Sequence, residues 1–288
     1  MSFDSLYLPV TDRREIHRLL SGLPLAIDRA HFLDFVAGFP LRYFVSTPAM
    51  EIVKHYLLLE NLDSSGVISS LAREREEGLW KLCLITRDQP CLFARIAGTL
   101  SCFGAKIVSG EAFANAHAVV LDTFRFSDPE NRFLQLSARQ KFQQLLEDAI
   151  VSRQDLTPLL ASHWPKSSSL PEPDFQVEID NDSHPSNTRL SVRCRDHFGL
   201  LYLLSRSISD QGCSIDIAQI STEGSQVHDE FYLTHRGAKL APSMQRRLAG
   251  KLAELPRHHF DLNQLLTTAL TGDKHDSKRQ NEKLPGGQ

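Results

Sequence analysis

The chain has 288 residues, a formal net charge of −3 at pH 7, and 41% hydrophobic and 23% charged residues. This composition is ordinary for a soluble globular protein and allows one to three domains. The charge balance and the lack of a basic stripe argue against a nucleic-acid partner, because phosphate binding needs clustered Lys and Arg. No apolar run approaches the ~18 residues of a membrane span, and the charged N-terminus does not read as a signal peptide. We therefore expect no membrane association and a cytoplasmic location.

The helical pattern comes first in chain order, in the predicted N-terminal segment 1–76. The stretches "REIHRLLSGL" and "MEIVKHYLLLENL" carry apolar residues at helical spacing. After it, we predict a first domain, a Pro- and Ser-rich linker, a second domain and a C-terminal tail, at 77–152, 153–173, 174–256 and 257–288. From residue 271 the tail has almost no apolar residues, which predicts disorder.

The most informative feature is an internal repeat. The segment "RDQPCLFARIAGTLSCFGAKI" (87–107) aligns with "RDHFGLLYLLSRSISDQGCSI" (195–215), and the acidic residue, the apolar helix positions and the glycine coincide at a constant offset. Further on, "DTFRF" (122–126) matches "DEFYL" (229–233), with one residue lost in between. The repeat therefore covers a whole supersecondary unit rather than one helix.

Each copy reads as β-α-β-β-α. In the second copy Leu190, Val192 and Cys194 alternate with polar residues, which predicts a half-buried strand. An amphipathic helix follows and ends at Gly212, where a left-handed backbone costs glycine little. One more strand completes a ferredoxin-like unit, and residues 174–180 can supply that edge in the second copy. The sequence thus predicts an α+β chain with two ferredoxin-like (βαββαβ) domains after a mostly helical segment.

The order of these motifs resembles the ACT domain, a small regulatory module that often binds amino acids. The shared features are a D-x-x-G-L turn, a helix, G-x-x-I and a hairpin ending in D-x-F-x-L/V. More closely, residues 177–240 resemble the last ACT domain of the bifunctional PII uridylyltransferase/uridylyl-removing enzymes, and residues 83–128 resemble the first. The segment 39–59 resembles the connector before that tandem, so the resemblance covers roughly residues 28–260.

The sequence lacks the motifs that those enzymes use for chemistry. A nucleotidyltransferase needs a Gly-Ser turn followed by Asp-x-Asp to hold Mg²⁺ and nucleotide phosphates, and Gly224-Ser225 has no such partner. The two His-Asp dipeptides, at 228–229 and 275–276, stand in a hairpin strand and in the tail. We therefore predict no catalytic residue, no metal, no cofactor and a chain that is not an enzyme.

The resemblance also implies where a ligand binds. In ACT domains ligands usually lie where the β1–α1 turn of one domain meets the start of β2 in a partner domain. In the first copy the matching residues are Asp88, Gln89, Pro90, Cys91, Leu92 and Lys106. In the second copy they are Asp196, His197, Phe198, Gly199, Leu200 and Ser214. An alternative interpretation is that Asp88 and Asp196 only cap the helices that follow them.

Both copies depart from the family pattern. Cys91 replaces the usual glycine of the turn, and its Cβ hinders close approach of the backbone to a ligand. Lys106 and Ser214 stand where the family has Asn, so an amide that both donates and accepts is lost. Because Gly199 is retained, the second copy is the better binding candidate.

Three functions follow from this interpretation. The first is a non-catalytic sensor that binds a small amino acid, possibly glutamine, forms a homodimer through its ACT sheets and acts on a protein partner in nitrogen signalling. The second is an ACT-fold interaction module that has lost ligand binding. The third is a uridylyltransferase-like protein that acts on PII. In each case the two copies are expected to associate edge to edge, within the chain, between chains, or both.

Overall fold

The computed structural model describes residues 27–62, 64–74, 78–163 and 175–255. The tail predicted to be disordered from residue 271 and the Pro- and Ser-rich part of the linker lie outside these ranges, as does the stretch "REIHRLLSGL". The described helices are α1 Arg29–Val36, α2 Leu41–Ser46, α3 Ala49–Glu60, α4 Leu92–Cys102, α5 Leu136–Ile150, α6 Thr157–His163, α7 Leu200–Asp210 and α8 Pro242–Glu254. The strands are β1 Val67–Arg73, β2 Trp80–Arg87, β3 Lys106–Ala114, β4 Val119–Ser127, β5 Gln176–Asp180, β6 Thr188–Arg195, β7 Ser214–Glu223 and β8 Gln226–Thr234.

The strands form one antiparallel sheet in the order β1-β2-β4-β3-β7-β8-β6-β5. Strands β3 and β7 join the two repeats, and Gly110 pairs with Ala218 at the centre of this seam. These two residues occupy equivalent positions of the repeat, so a pseudo-two-fold axis passes through the pair. The two copies therefore associate edge to edge within the chain, which is one of the arrangements that the sequence predicted.

The predicted fold class is confirmed, with one difference in strand order. The strand that completes each unit comes before the βαββα core, because β1 pairs with β2 and β5 pairs with β6. Strand β5 is the edge predicted at 174–180. Strand β1 lies inside the segment predicted to be helical. Its residues Val67 and Leu71 pack into the core on the face of the sheet that α4 and α5 cover, while Ile68 packs on the face that α1 to α3 cover. Pairing with β2 holds the segment in an extended conformation.

The two units differ in what covers their sheets. Helices α4, α5, α7 and α8 lie on one face and share a core with residues such as Leu82 and Leu84. Helices α1 to α3 cover the other face of the first unit only, where they pack on Cys83 and Ile85. This explains why β2 contains an unbroken apolar run at residues 82–85 while β6 alternates: a strand covered on both faces needs apolar residues on both.

The linker predicted at 153–173 contains α6, which contributes to the contact between the units. Leu156 and Leu160 are buried with Ala94 of α4 and with Tyr202 and Leu203 of α7. The division into two domains remains a prediction, since the sheet is continuous across the seam. None of the helices in the described part of the chain combines the length and apolar character that a membrane crossing needs.

Candidate ligand site between the two units

A cavity of about 300 Å³ lies at the seam, on the face of the sheet that α4, α5, α7 and α8 cover. One wall is the turn between β6 and α7, and the opposite wall is the end of α4 with the start of β3. The floor comes from β7 and β8. The lining residues are Ser101, Gly104, Ala105, Lys106, Ile107, Asp196, His197, Phe198, Gly199, Leu200, Leu201, Ile220, Thr222, Val227 and Asp229.

The structure brings together half of the residues predicted from the resemblance. The five turn residues of the second copy line the cavity with Lys106 of the first. The first-copy turn, residues 88–92, lies instead beside the end of α7, where Cys91 Sγ is 3.9 Å from Asp210 Oδ1. Ser214 begins β7 and does not line this cavity. Ligand binding by any of these residues stays a prediction.

The alternative interpretation of Asp88 and Asp196 as helix caps is wrong. The residues that cap α4 and α7 are Cys91 and Gly199, and neither helix start is capped by a side-chain hydrogen bond. The reason is that the turn continues for three residues after each aspartate before the helix begins. Asp196 therefore does not cap the start of α7, where the Leu200 N–H instead donates to the His197 carbonyl oxygen at 3.1 Å. The N–H groups of the rest of the first turn of α7 receive no side-chain cap.

Both cap residues have a left-handed backbone, with φ of 61° at Cys91 and 71° at Gly199. Glycine adopts this conformation freely, whereas in a residue with a Cβ the same conformation costs folding free energy. The glycine turn lines the cavity described above, and the cysteine turn contacts Asp210 of α7.

A buried carboxyl in the cavity was missed as a ligand-site residue. Asp229 is 1% exposed, and its Oδ1 has no hydrogen-bond partner among the described residues. Burial raises the pKa of Asp229 to about 8; a hydrogen bond from the Ser221 backbone opposes this, and the charge of Asp196 adds to it. The equivalent Asp122 in the first unit is also 1% exposed with an unpartnered Oδ1, and burial raises its pKa to about 8.

A sequence signal for Asp229 was present. In β8 the inward positions are Val227, Asp229, Phe231 and Leu233, because side chains alternate between the faces of a strand. A carboxyl group at an inward position between apolar residues is costly unless something pairs with it. In the sequence Asp229 stands out only as part of a His-Asp dipeptide, and within the described ranges no group of three or more His, Cys, Asp or Glu is arranged to hold a metal ion.

The remaining polar groups of the cavity differ in charge. His197 has a buried Nε2 without a hydrogen-bond partner in the described structure, and burial lowers the pKa of this side chain. Lys106 supplies an ammonium group from the opposite wall. The site thus combines hydrogen-bond acceptors on the β8 side with donors from Lys106 and the start of α7, which suits a small ligand that carries both kinds of group.

The chain is similar to bifunctional uridylyltransferase/uridylyl-removing enzymes. The protein from Bordetella pertussis is 28% identical over 243 residues, which cover 81% of this chain and 26% of that protein. The protein from Gluconobacter oxydans is 30% identical over 234 residues, covering 78% and 24%, and that from Rhodospirillum rubrum is 25% identical over 262 residues, covering 85% and 27%.

The resemblance seen in the sequence is confirmed by these relatives. No family model matches the chain. A crystal structure of aspartate kinase from Synechocystis is 17% identical, and the match covers 65% of this chain and 28% of that one at a TM-score of 0.32. The chain spans about a quarter of the length of the curated relatives it matches. The ACT-like topology and this similarity support a regulatory role.

Proposed function

We propose that the chain is a non-catalytic sensor that binds a small amino acid, with glutamine as the first candidate, in the cavity between its two units. The observation that carries this proposal is the meeting of the glycine turn at 196–200 with Lys106 across a cavity of about 300 Å³. That volume is at the small end of the range of ligand sites, which fits an amino acid. The ligand contacts both units and so increases the free energy needed to separate them.

A binding assay on the whole chain tests the proposal. We expect one amino acid, glutamine first, to raise the unfolding temperature, because a ligand at 100 times its Kd stabilises by about 2.7 kcal/mol. Lys106→Met should weaken binding at least tenfold. Ser214→Met, at the equivalent position of the second unit and outside the cavity, is the matched control and should leave binding unchanged. If no amino acid shifts the wild-type chain, the sensor proposal fails and the interaction module replaces it.

The non-catalytic part of the proposal has its own test. The pure chain is incubated with a PII protein, UTP and Mg²⁺, and the PII protein is analysed by mass spectrometry. We expect no added uridylyl group, since the sequence holds no Gly-Ser turn followed by Asp-x-Asp. A uridylyl group transferred by the chain alone would overturn this part.

We also propose that the chain acts in the cytoplasm as a homodimer in nitrogen signalling. Strands β1 and β5 end the sheet, and in the described part of the chain no further strand pairs with them, which favours pairing with a second copy. Light scattering should then give twice the 32.4 kDa of one chain. A monomer at working concentration would contradict the dimer and leave the ligand site untouched.

A further inference from the structure

The buried carboxyl of Asp229 deepens the proposed function, on which this inference rests. Its side chain is on the helix-facing side of β8 and lines the cavity, with only 1% of the residue exposed. One carboxyl oxygen, Oδ1, is buried without a hydrogen-bond partner among the described residues. A buried acceptor left unpaired costs folding free energy, so it marks a place where a donor is missing.

The surroundings of Asp229 determine which kind of donor fits. Asp196 of the turn adds negative charge, and burial lowers the pKa of His197 beside it, which disfavours the cationic form of that side chain. Cys194 of β6 has its pKa raised to about 12 by burial and stays a neutral thiol. Lys106 of β3, on the opposite wall, is the one cation among the residues that line the cavity. The end of the cavity at Asp229 therefore attracts a positive charge.

We propose that the cavity selects ligands that carry a protonated amino group, and that Asp229 Oδ1 accepts the hydrogen bond from it. Lys106 and the backbone N–H groups at the start of α7 then hold the carboxylate of the same ligand. The ligand class is a zwitterionic amino acid, and an acid without the amino group is rejected. Pairing with an ammonium group ionises Asp229, so binding releases a proton from its carboxyl.

The first unit provides the matched control. Asp122 occupies the equivalent position, is equally buried and also has an unpartnered Oδ1, but it does not line the cavity. A general effect of removing a buried carboxyl will appear in Asp122→Asn and in Asp229→Asn alike. An effect on ligand selection will appear in Asp229→Asn alone.

The test measures binding to the full chain by isothermal titration calorimetry with two probes, L-glutamine and glutaramic acid, which is glutamine without its amino group. In the wild type we expect glutaramic acid to bind at least tenfold more weakly, because it leaves the Asp229 carboxyl unpaired. Asp229→Asn should bind L-glutamine at least tenfold more weakly and largely lose this discrimination. Asp122→Asn should behave as the wild type does.

The pH dependence gives a second readout that needs no variant. Affinity of the wild type for L-glutamine should rise with pH from about 6 to about 8, by at most about tenfold per pH unit, and titrations in buffers of different ionisation enthalpy should show proton release. Affinity that falls over this range would mean that the protonated carboxyl donates to the ligand, and the proposal would be wrong.

The outcomes separate the two proposals. If L-glutamine binds and glutaramic acid binds equally well, or if Asp229→Asn keeps full affinity, the role of Asp229 is refuted while the amino-acid sensor stands. If L-glutamine and the other amino acids do not bind the wild type, the sensor itself fails and the role of Asp229 fails with it.

Discussion

At the scale of single residues, two positions of the repeat have diverged in ways that matter for function. The left-handed turn position is Gly199 in the second unit and Cys91 in the first, and the inward aspartate is retained in both. The backbone conformation is thus the same in the two copies while the side chains differ. The second turn lines a cavity, and the first is in contact with Asp210.

Substitution of each turn residue tests how much free energy this left-handed conformation costs. Gly199→Ala should lower the free energy of unfolding by about 1–2 kcal/mol, because a Cβ is unfavourable at φ 71°. Cys91→Gly should raise it by up to about 1 kcal/mol, reduced by the loss of a half-buried side chain. Urea unfolding of both variants measures the difference. Changes of the same sign in both would show that the backbone conformation does not decide the result.

The buried aspartates predict how stability depends on pH. Burial raises the pKa of Asp122 to about 8, so this carboxyl takes up a proton on folding. Its contribution is complete below the unfolded pKa of about 3.9 and is lost as the pH rises through about 8, at no more than about 1.4 kcal/mol per pH unit. Asp122→Asn should therefore be more stable than the wild type at pH 8 and lose less stability between pH 5 and pH 8.

Urea unfolding at several pH values measures this difference. Asp182→Asn, at an exposed position, serves as the control and should follow the wild-type curve. A variant Asp122→Asn that is less stable than the wild type at pH 8 would mean that the ionised carboxyl is stabilised in the fold, contrary to its burial.

At the scale of elements, the two units approach each other through glycine. A Cβ at Gly98 of α4 would lie 2.7 Å from the Tyr202 ring and 3.0 Å from Leu156, so α4 meets α7 and the residue that precedes α6 at this point. At the strand seam, a Cβ at Gly110 would lie 2.6 Å from the Phe93 ring. The glycine at 98 allows the close contact between helices of the two repeats, and the glycine at 110 leaves room for the Phe93 ring of its own repeat.

Gly98→Ala tests the importance of this helix contact. The added methyl gains up to about 1 kcal/mol of helix propensity but overpacks the contact, and we expect a net loss of about 1–3 kcal/mol together with weaker ligand binding. Gly250→Ala is the control, because nothing lies within 4 Å of its Cβ on α8, and it should stabilise by about 0.5–1 kcal/mol. Thermal and urea unfolding of the two variants should move in opposite directions.

At the scale of the whole molecule, the N-terminal helices hold both units through one buried arginine. Arg42 of α2 is 3% exposed, and its guanidinium donates to Ala112 O of β3 at 3.0 Å and to Asp216 O of β7 at 3.1 Å. It also forms an ion pair with Glu111 at 3.2 Å and lies 4.0 Å from the centre of the Phe113 ring. The seam is therefore fixed on one face by Arg42, while the cavity lies on the other face.

Replacing Arg42 should loosen the whole assembly. Arg42→Met leaves two backbone acceptors and Glu111 without their partner, and we expect a loss of about 2–4 kcal/mol in the free energy of unfolding. Arg42→Lys should recover only part of this loss, because an ammonium group cannot reproduce the planar fork of donors. Circular dichroism during urea titration measures both. A loss below 1 kcal/mol in Arg42→Met would show that the helices are held by apolar packing alone.

The sequence by itself determined the repeat, the β-α-β-β-α order within each copy and the glycine at the second turn. These features depend on residues that are close together in the sequence. Leu190, Val192 and Cys194 alternate with polar residues along one strand, and Gly199 permits the left-handed turn before one helix. The prediction of helix from local sequence was wrong at β1. Residues Val67–Arg73 follow a helical segment and form a strand because they pair with β2.

Only the tertiary structure decided how the two units join and what the cavity contains. The pairing of β3 with β7 places Lys106 opposite a turn ninety positions further along the chain, and no local pattern encodes that meeting. Asp229 becomes a ligand-site candidate for the same reason, because its burial depends on Val192 and Ile220 in the neighbouring strands and on the turn above it. Local periodicity determines on which face of a strand a side chain lies. Packing between segments that are distant in the sequence determines which residues it contacts there.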